Sequence, residues 1–304
     1  MKVAVIGAGA LGSLYGGLLA ADGHDVWLLH HREEAAAAID DDGVVIEGVD
    51  GETRHVDVRA TVDASEVGPV DLELVLVKAH QTLPAVEQHA ACIGPETRVL
   101  SLQNGVTNHY RLRDHAGAER TLNGVVNQGA MLVGPGHVRR SSEGLTELGG
   151  PDRAFAERVA NAFESAGLAT ALVEDPFDAI WQKQLVGGAL KPLAALTRLT
   201  NGAMVADDGL AETMRDLMDE TAAVAATKGH DPDAEATHAD LMMRMAGSDH
   251  RSSMLQDVEA SRRTEIEDVN GAVVELGREA GVEAPYNELA TRLVKGLERG
   301  YLGE

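Results

Sequence analysis

At 304 residues the chain is long enough for two domains, because single hydrophobic cores stop growing at roughly 250 to 300 residues. Its 49 Asp and Glu against 26 Lys and Arg give a formal net charge of -23, which repels phosphate backbones and anionic lipid and so excludes nucleic acid and membrane surfaces as partners. The basic side is skewed to 6 Lys against 20 Arg, an acidic, lysine-poor composition like that of proteins from salt-loving organisms, where a Debye length of about 3 Å near molar salt makes self-repulsion tolerable.

Residues 1–6 form a short apolar run ended by Gly7, with neither the core nor the cleavage pattern of a signal peptide, and no stretch of about 20 apolar residues is present to cross a bilayer. A cytoplasmic location is the expectation. Cys92 is the only cysteine, which rules out an intramolecular disulfide. The 12 histidines show no HxH or HExxH spacing, so no metal is implied.

Lys2 to Ile6 (KVAVI) predicts a strand that breaks into Gly7-Ala8-Gly9-Ala10-Leu11-Gly12 and then a helical pattern through Leu14, Leu18 and Leu19. GxGxxG between a strand and a helix is a dinucleotide fingerprint: Gly7 for a tight turn, Gly9 for close approach of a pyrophosphate, Gly12 for helix-strand packing. The helix N-terminus supplies N–H groups and a positive dipole end to the phosphates. Asp25 to Leu29 predicts the second strand, and His30-His31-Arg32 follows it without a carboxylate before Glu33. An arginine there accommodates the 2′-phosphate of NADP, whereas NAD chains place an acid at this point; NADP is the expectation and NAD the alternative.

Val44 to Ala60, with its Asp50-Gly51 pair, predicts a hairpin inserted in the α/β order. Leu72 to Val77 and Arg98 to Leu102 predict buried strands, the first followed by Lys78-Ala79-His80-Gln81-Thr82 and the second by Gln103-Asn104-Gly105. Ligands of open parallel sheets sit beyond the carboxyl ends of the strands, which is where Lys78 and Asn104 fall. Thr121 to Arg140 predicts two strands around Gly134-Pro135-Gly136, Asp152 to Ala166 an amphipathic helix, and Ala169 to Val173 a last strand. Glu174-Asp175-Pro176 marks the boundary, so residues 1–174 form an α/β Rossmann-type domain and 175–304 an all-α C-terminal domain.

Beyond Pro176 only helical periodicity is found. The stretch from Asp178 to Asn201 predicts a mostly buried helix, with Trp181, Leu185, Leu190, Leu193, Leu196 and Leu199 apolar and with Lys183, Gly187 and Lys191 four residues apart near one face. Ammonium groups on such a helix require anions or acceptors nearby. Met214, Leu217, Met218 and Val224, and Leu241, Met242 and Met245, are spaced as core stripes.

The segments MKVAVIGAGALG, LVLVKAHQT, SLQNGV, WQK…KPLAALTRLTNG and SSMLQDVEASRRTEIEDVNG, in this order over nearly the full length, resemble the ketopantoate reductase (2-dehydropantoate 2-reductase) family. The resemblance implies that Lys78 and Asn104 contact the nicotinamide nucleotide, that Asn104 also reaches substrate, and that backbone near Ala130 lines the cofactor. It further implies Lys183 as general acid, Ser253 and Asn201 as substrate contacts, and Glu265 as a carboxylate on the nicotinamide side. The implied reaction is NADPH-dependent reduction of 2-dehydropantoate to (R)-pantoate in pantothenate and coenzyme A biosynthesis. Where the family carries substrate-holding asparagines, four and eight residues after the lysine, this chain has Gly187 and Lys191. Lys191 is then expected to pair with the substrate carboxylate and to lower the pKa of Lys183. Two alternatives stand beside this reading: reduction of another branched 2-oxo acid, and a non-catalytic dinucleotide sensor. The methionine-rich helices leave room for a homodimer through the helical domain.

Overall fold

The computed structural model describes residues 1–303. The chain forms two compact units, one of Met1–Gln103 with Asn108–Pro176, the other of Asn104–Thr107 with Phe177–Glu304.

In chain order the first unit carries β1 (Lys2–Ile6), α1 (Ala10–Ala21), β2 (Asp25–Leu29), α2 (Glu33–Asp42), β3 (Val44–Glu47), β4 (Thr53–Val56), β5 (Arg59–Thr61), α3 (Ala64–Val67) and β6 (Leu72–Val75). It continues with α4 (Thr82–Gln88), β7 (Arg98–Ser101), α5 (Asn108–Ala116), β8 (Thr121–Val126), β9 (Gly129–Gly134), β10 (His137–Ser142), β11 (Thr146–Gly149), α6 (Arg153–Ser165) and β12 (Thr170–Leu172). Eight strands form one sheet in the order β12-β11-β8-β7-β6-β1-β2-β5. The six from β8 to β5 are parallel, while β11 runs antiparallel to β8 and carries β12 with it. A parallel sheet needs cover on both faces, and β1 supplies it with an unbroken apolar run, while β6 is apolar except for Glu73. Val3 and Val5 of β1 join a core with α1 and α6, and Ala4 and Ile6 join another with Val86 of α4 and Leu112 of α5. Because β2 lies on one side of β1 and β6 on the other, the chain reverses its winding at β1, which opens a crevice at that strand's carboxyl end.

The Asp50-Gly51 hairpin forms as β3 and β4, with Gly51 at φ 83°. Its tail, β5, leaves to pair with β2, and the hairpin joins a second sheet ordered β4-β3-β10-β9. The expectation of two strands over Thr121–Arg140 is corrected to three, since Asn127 leaves β8 to donate its N–H to the Leu145 carbonyl before β9 begins. The antiparallel β11, unforeseen, is only four residues long and too short to show a period.

The second unit holds α7 (Phe177–Thr197), α8 (Asn201–Val205), α9 (Asp208–Thr227), α10 (Ala234–Met245), α11 (Ser253–Glu259), a π-helical turn (Glu267–Gly271), α12 (Ala272–Ala280) and α13 (Pro285–Leu302). Leu185, Ala189, Leu190 and Leu193 of α7 pack with Met214, Leu217, Met218 and Leu241, all buried, and Met242 and Met245 lie against that core. At roughly 1.5–3 kcal/mol for each large side chain taken from water, this one seam outweighs the weak intrinsic helix propensity of its glycines. The helix ends four residues before Asn201, because Arg198 turns into the left-handed region at φ 61°. Leu199 is therefore exposed rather than part of the buried stripe, and Asn201 opens α8. No helix among the described residues is long and apolar enough to cross a membrane.

Candidate active site

The glycine turn at the end of β1 has the geometry its sequence demands. Gly7 stands at φ 104° and donates its N–H to the Leu29 carbonyl at 3.0 Å, holding the turn against β2. A Cβ on Gly12 would lie 1.9 Å from the Gly7 oxygen, so only glycine lets α1 start this close to the strand. A Cβ on Gly9 would meet nothing within 4 Å; the space beside it is open. Gly9 precedes α1 as its N-cap and offers no side-chain cap, and the first turn holds no acid, leaving its N–H groups and dipole to an anion. Ala10 and Leu11 form that first turn, while Ala8 is buried and contributes backbone alone. These features fit the pyrophosphate of a dinucleotide. Ala130 lies in β9, which packs against α1.

At the end of β2, His30 is buried and accepts the Arg32 N–H at 2.9 Å, with the His31 ring stacked on it at 4.7 Å. Burial and the adjacent His31 and Arg32 charges push the His30 imidazole down to about 4, so it stays neutral and keeps that acceptor. His31 and Arg32 are exposed, Arg32 as the N-cap of α2. Arg32 thus stands exposed at the tip of β2.

The loops after β6 and β7 are tied by one amide that sequence reasoning missed. Gln103 Nε2 donates to the Val77 carbonyl and to Thr82 Oγ1, both at 2.8 Å, and Gln103 Oε1 accepts from Ser101 Oγ at 3.0 Å. Gln103 thereby fixes the backbone from which half-buried Lys78 departs and immediately precedes Asn104. The signal for it was only its place in QNG after a buried strand.

In the second unit, Asn104 Nδ2 donates to Glu265 Oε2 at 3.3 Å, and Glu265 is buried. Lys183, half-buried on α7, has its ammonium pulled down to about 7, mainly by burial, then by the charge of Lys191, with Glu265 opposing. Lys191 folds back toward the helix N-terminus until its Nζ is 3.6 Å from where a Cβ on Gly187 would stand. Asn104, Lys183, Gly187, Lys191 and Glu265 thus form one cluster.

Pro192 bears on how the π turn that follows Glu265 is tied to α7. A proline has no N–H, so within α7 the carbonyl four residues back, on Gly188, loses its helical donor. Asn270 Nδ2 replaces it at 2.8 Å and also donates to Asn287 Oδ1 at 2.9 Å, while Gln184 Nε2 of α7 donates to the Val269 carbonyl at 2.9 Å. Both contacts grip the π turn, whose wider winding is itself a frequent mark of functional helices. Asn270 and Gln184 are functional supports that the sequence reading did not name. A proline four residues after Gly188 was the available signal, since it announces an orphaned acceptor.

Asn201 and Ser253 lie on α8 and α11, both packed on α7. Asn201 is buried, its N–H donates to the His250 carbonyl at 2.9 Å, and its Oδ1 has no hydrogen-bond partner, an acceptor left open in the protein. Ser252, not Ser253, caps α11 by accepting the Leu255 N–H at 3.2 Å, which leaves the Ser253 side chain exposed.

Models of the families described as "Ketopantoate reductase PanE/ApbA" and "Ketopantoate reductase PanE/ApbA C terminal" match residues 3–153 and 177–298. A 2-dehydropantoate 2-reductase of Archaeoglobus fulgidus is 35% identical over 302 residues, 98% of each chain. One of Halobacterium salinarum is 33% identical over 303 residues, 98% of this chain and 99% of the relative. Among solved structures, D-mandelate dehydrogenase in a ternary complex with NADH and anilino(oxo)acetate superposes with a TM-score of 0.93 at 27% identity, covering 99% of both chains. With the dinucleotide turn at the end of β1 and the lysine-carboxylate cluster on α7, these matches establish that the chain belongs to the ketopantoate reductase PanE/ApbA family of oxidoreductases, which work with a dinucleotide cofactor.

Proposed function

We propose that the protein reduces 2-dehydropantoate to (R)-pantoate with NADPH, in pantothenate and coenzyme A biosynthesis. The observation that carries this reading is the placement of Lys183, half-buried on α7 beside the Glu265–Asn104 pair, where burial and the Lys191 charge pull its ammonium down to about 7. A general acid works best when its pKa lies near the working pH, and a lysine is brought there by burial and a neighbouring cation. When bound, the reduced nicotinamide supplies a hydride to the keto carbon. Residues 7–12 hold the pyrophosphate through backbone N–H groups, Arg32 takes the 2′-phosphate, and Lys78 and the backbone near Ala130 line the nucleotide.

As charge gathers on the keto oxygen, the Lys183 ammonium stabilises it and passes it a proton, which yields the 2-hydroxy acid. Asn104, oriented by Glu265, donates to the same oxygen or to the nicotinamide carboxamide. Asn201 accepts a hydrogen bond from a substrate hydroxyl at its open Oδ1, and Ser253 donates one to the substrate. Two copies pair through the helical domain in this reading, with the exposed Tyr286, Leu289 and Leu293 of α13 as the apolar stripe.

Gly187 and Lys191 favour a second reading, a related branched 2-oxo acid as substrate, which the anilino(oxo)acetate of the D-mandelate dehydrogenase complex keeps in view. The test is oxidation of NADPH and of NADH, in high salt, with 2-dehydropantoate and a panel of 2-oxo acids. Highest kcat/KM for 2-dehydropantoate with NADPH supports the first reading. A better substrate elsewhere in the panel selects the second, and no turnover with any leaves a dinucleotide sensor.

A further inference from the structure

We propose that Lys191, lying in the space left by Gly187, anchors the carboxylate of the 2-oxo acid, and that its neutralisation on binding loads the proton onto Lys183. This rests on the site reading above and adds to it a coupling between substrate capture and readiness of the acid.

The geometry begins with Gly187. A Cβ there would stand 3.5 Å from Lys191 Cε and 3.6 Å from its Nζ, ordinary contact distances, so alanine would be tolerated while any longer side chain would need the volume the lysine now fills. Glycine at 187 and lysine at 191 are therefore one exchange: a side chain is removed from one turn and the next turn's ammonium is folded into its place. The ammonium is carried toward Lys183, one helical turn beyond Gly187.

Two like charges on one face repel, and the charge of Lys191 is one of the two causes that hold the Lys183 ammonium at about 7. The other charged group acting on Lys183 is Glu265, which precedes the π turn and favours the protonated form. Among the other charges on the packed elements, Asp257 and Glu259 of α11 pair with Arg262 and Arg251, Asp240 of α10 with Arg244, Glu267 of the π turn with Arg263 and Lys295, and Glu288 of α13 with Arg292; Glu220 of α9 accepts the Tyr286 and Asn287 N–H groups, and Asp268 of the π turn is buried. A carboxylate bound at Lys191 cancels the repulsion and adds its own attraction for a proton on Lys183. Near neutral pH the free enzyme holds Lys183 partly deprotonated, and the complex with a 2-oxo acid holds it protonated. Substrate capture is thereby linked to uptake of a proton from solvent.

Oxamate, which joins a carboxylate to an adjacent carbonyl as 2-oxo acids do but has an unreducible amide in place of the ketone, tests this without turnover of any particular substrate. Calorimetric binding of oxamate at pH about 8, in two buffers of different ionisation enthalpy, reads the protons taken up. The wild-type protein is expected to take up a substantial fraction of one proton, and Lys183→Met none. Lys191→Gln is expected to bind oxamate roughly 10- to 100-fold more weakly, the usual loss for a charge-assisted hydrogen bond, with reduced uptake, while Lys191→Arg restores binding. Binding of neutral oxamide changes little in any variant. Gly187→Asn, which keeps both charges but displaces the Lys191 chain, is expected to lower uptake as well. Oxamate binding without proton uptake in the wild type, or undiminished in Lys191→Gln, overturns the proposal. Either result is independent of whether 2-dehydropantoate is turned over, which tests the site reading itself.

Discussion

Glu73 sits in the middle of β6, 0% exposed, between Ala4 and Val99 of the neighbouring strands, and neither of its carboxylate oxygens has a hydrogen-bond partner. Burial pushes its carboxyl from 4.5 up to about 8. At about 1.4 kcal/mol per pH unit, that change corresponds to roughly 5 kcal/mol between the two protonation states. For an acid whose folded value is raised, the folded chain keeps a proton that the unfolded chain has lost between 4.5 and about 8. Stability therefore falls as pH rises through that window and levels off above it. Glu73→Gln keeps the shape and removes the titration. Relative to wild type the variant should be within about 1 kcal/mol at pH ~5 and more stable by roughly 3–5 kcal/mol at pH ~9. Urea unfolding in high salt, in a Trp181→Phe background so that Trp27 of β2 is the only tryptophan and reports the first unit, gives both numbers. Parallel pH profiles for the two proteins would refute the reasoning, because they would mean that Glu73 titrates alike folded and unfolded.

Lys183→Ala should lower kcat by roughly 10²–10⁴ with dinucleotide binding by fluorescence unchanged, and wild-type kcat/KM should fall as pH rises through about 7, where the acid loses its proton. Gly9→Ala should melt like wild type yet fail to bind the dinucleotide, whereas Gly12→Ala, with a Cβ 1.9 Å from the Gly7 oxygen, should fold poorly or not at all in thermal melts. Arg32→Ala should raise the KM for NADPH roughly tenfold and leave that for NADH nearly unchanged in steady-state assays. Asn270→Leu should destabilise the helical unit by about 2–3 kcal/mol in denaturant titrations, since it strands the Gly188 carbonyl and Asn287 Oδ1.

Much of this molecule was legible from local pattern. GxGxxG after KVAVI names the turn because the steric demand at Gly7 and Gly12 is local, met within a strand, a turn and one helix. The continuous apolar run at β1 announces a sheet covered on both faces, and the 3.6-residue stripes of α9 and α10 announce a helical core. The spacing of Lys183, Gly187 and Lys191 likewise follows from one helical period. Other features lie outside any local window. Arg198 ends α7 before Leu199, although the apolar spacing runs on, because the chain there must turn to begin α8. β11 is set by its pairing with β8, and four residues cannot declare a partner. Glu73, in a strand sequence that reads as alternating, is charged only on paper, since its state depends on how completely the sheet is covered. Pro192 shows the division most plainly. The sequence by itself determined that a carbonyl on α7 would lose its donor, since that follows from proline's covalent structure. Only the tertiary structure decided that Asn270, 82 residues further on, would supply the replacement, because a hydrogen bond between distant residues exists only once packing has brought them within 2.8 Å.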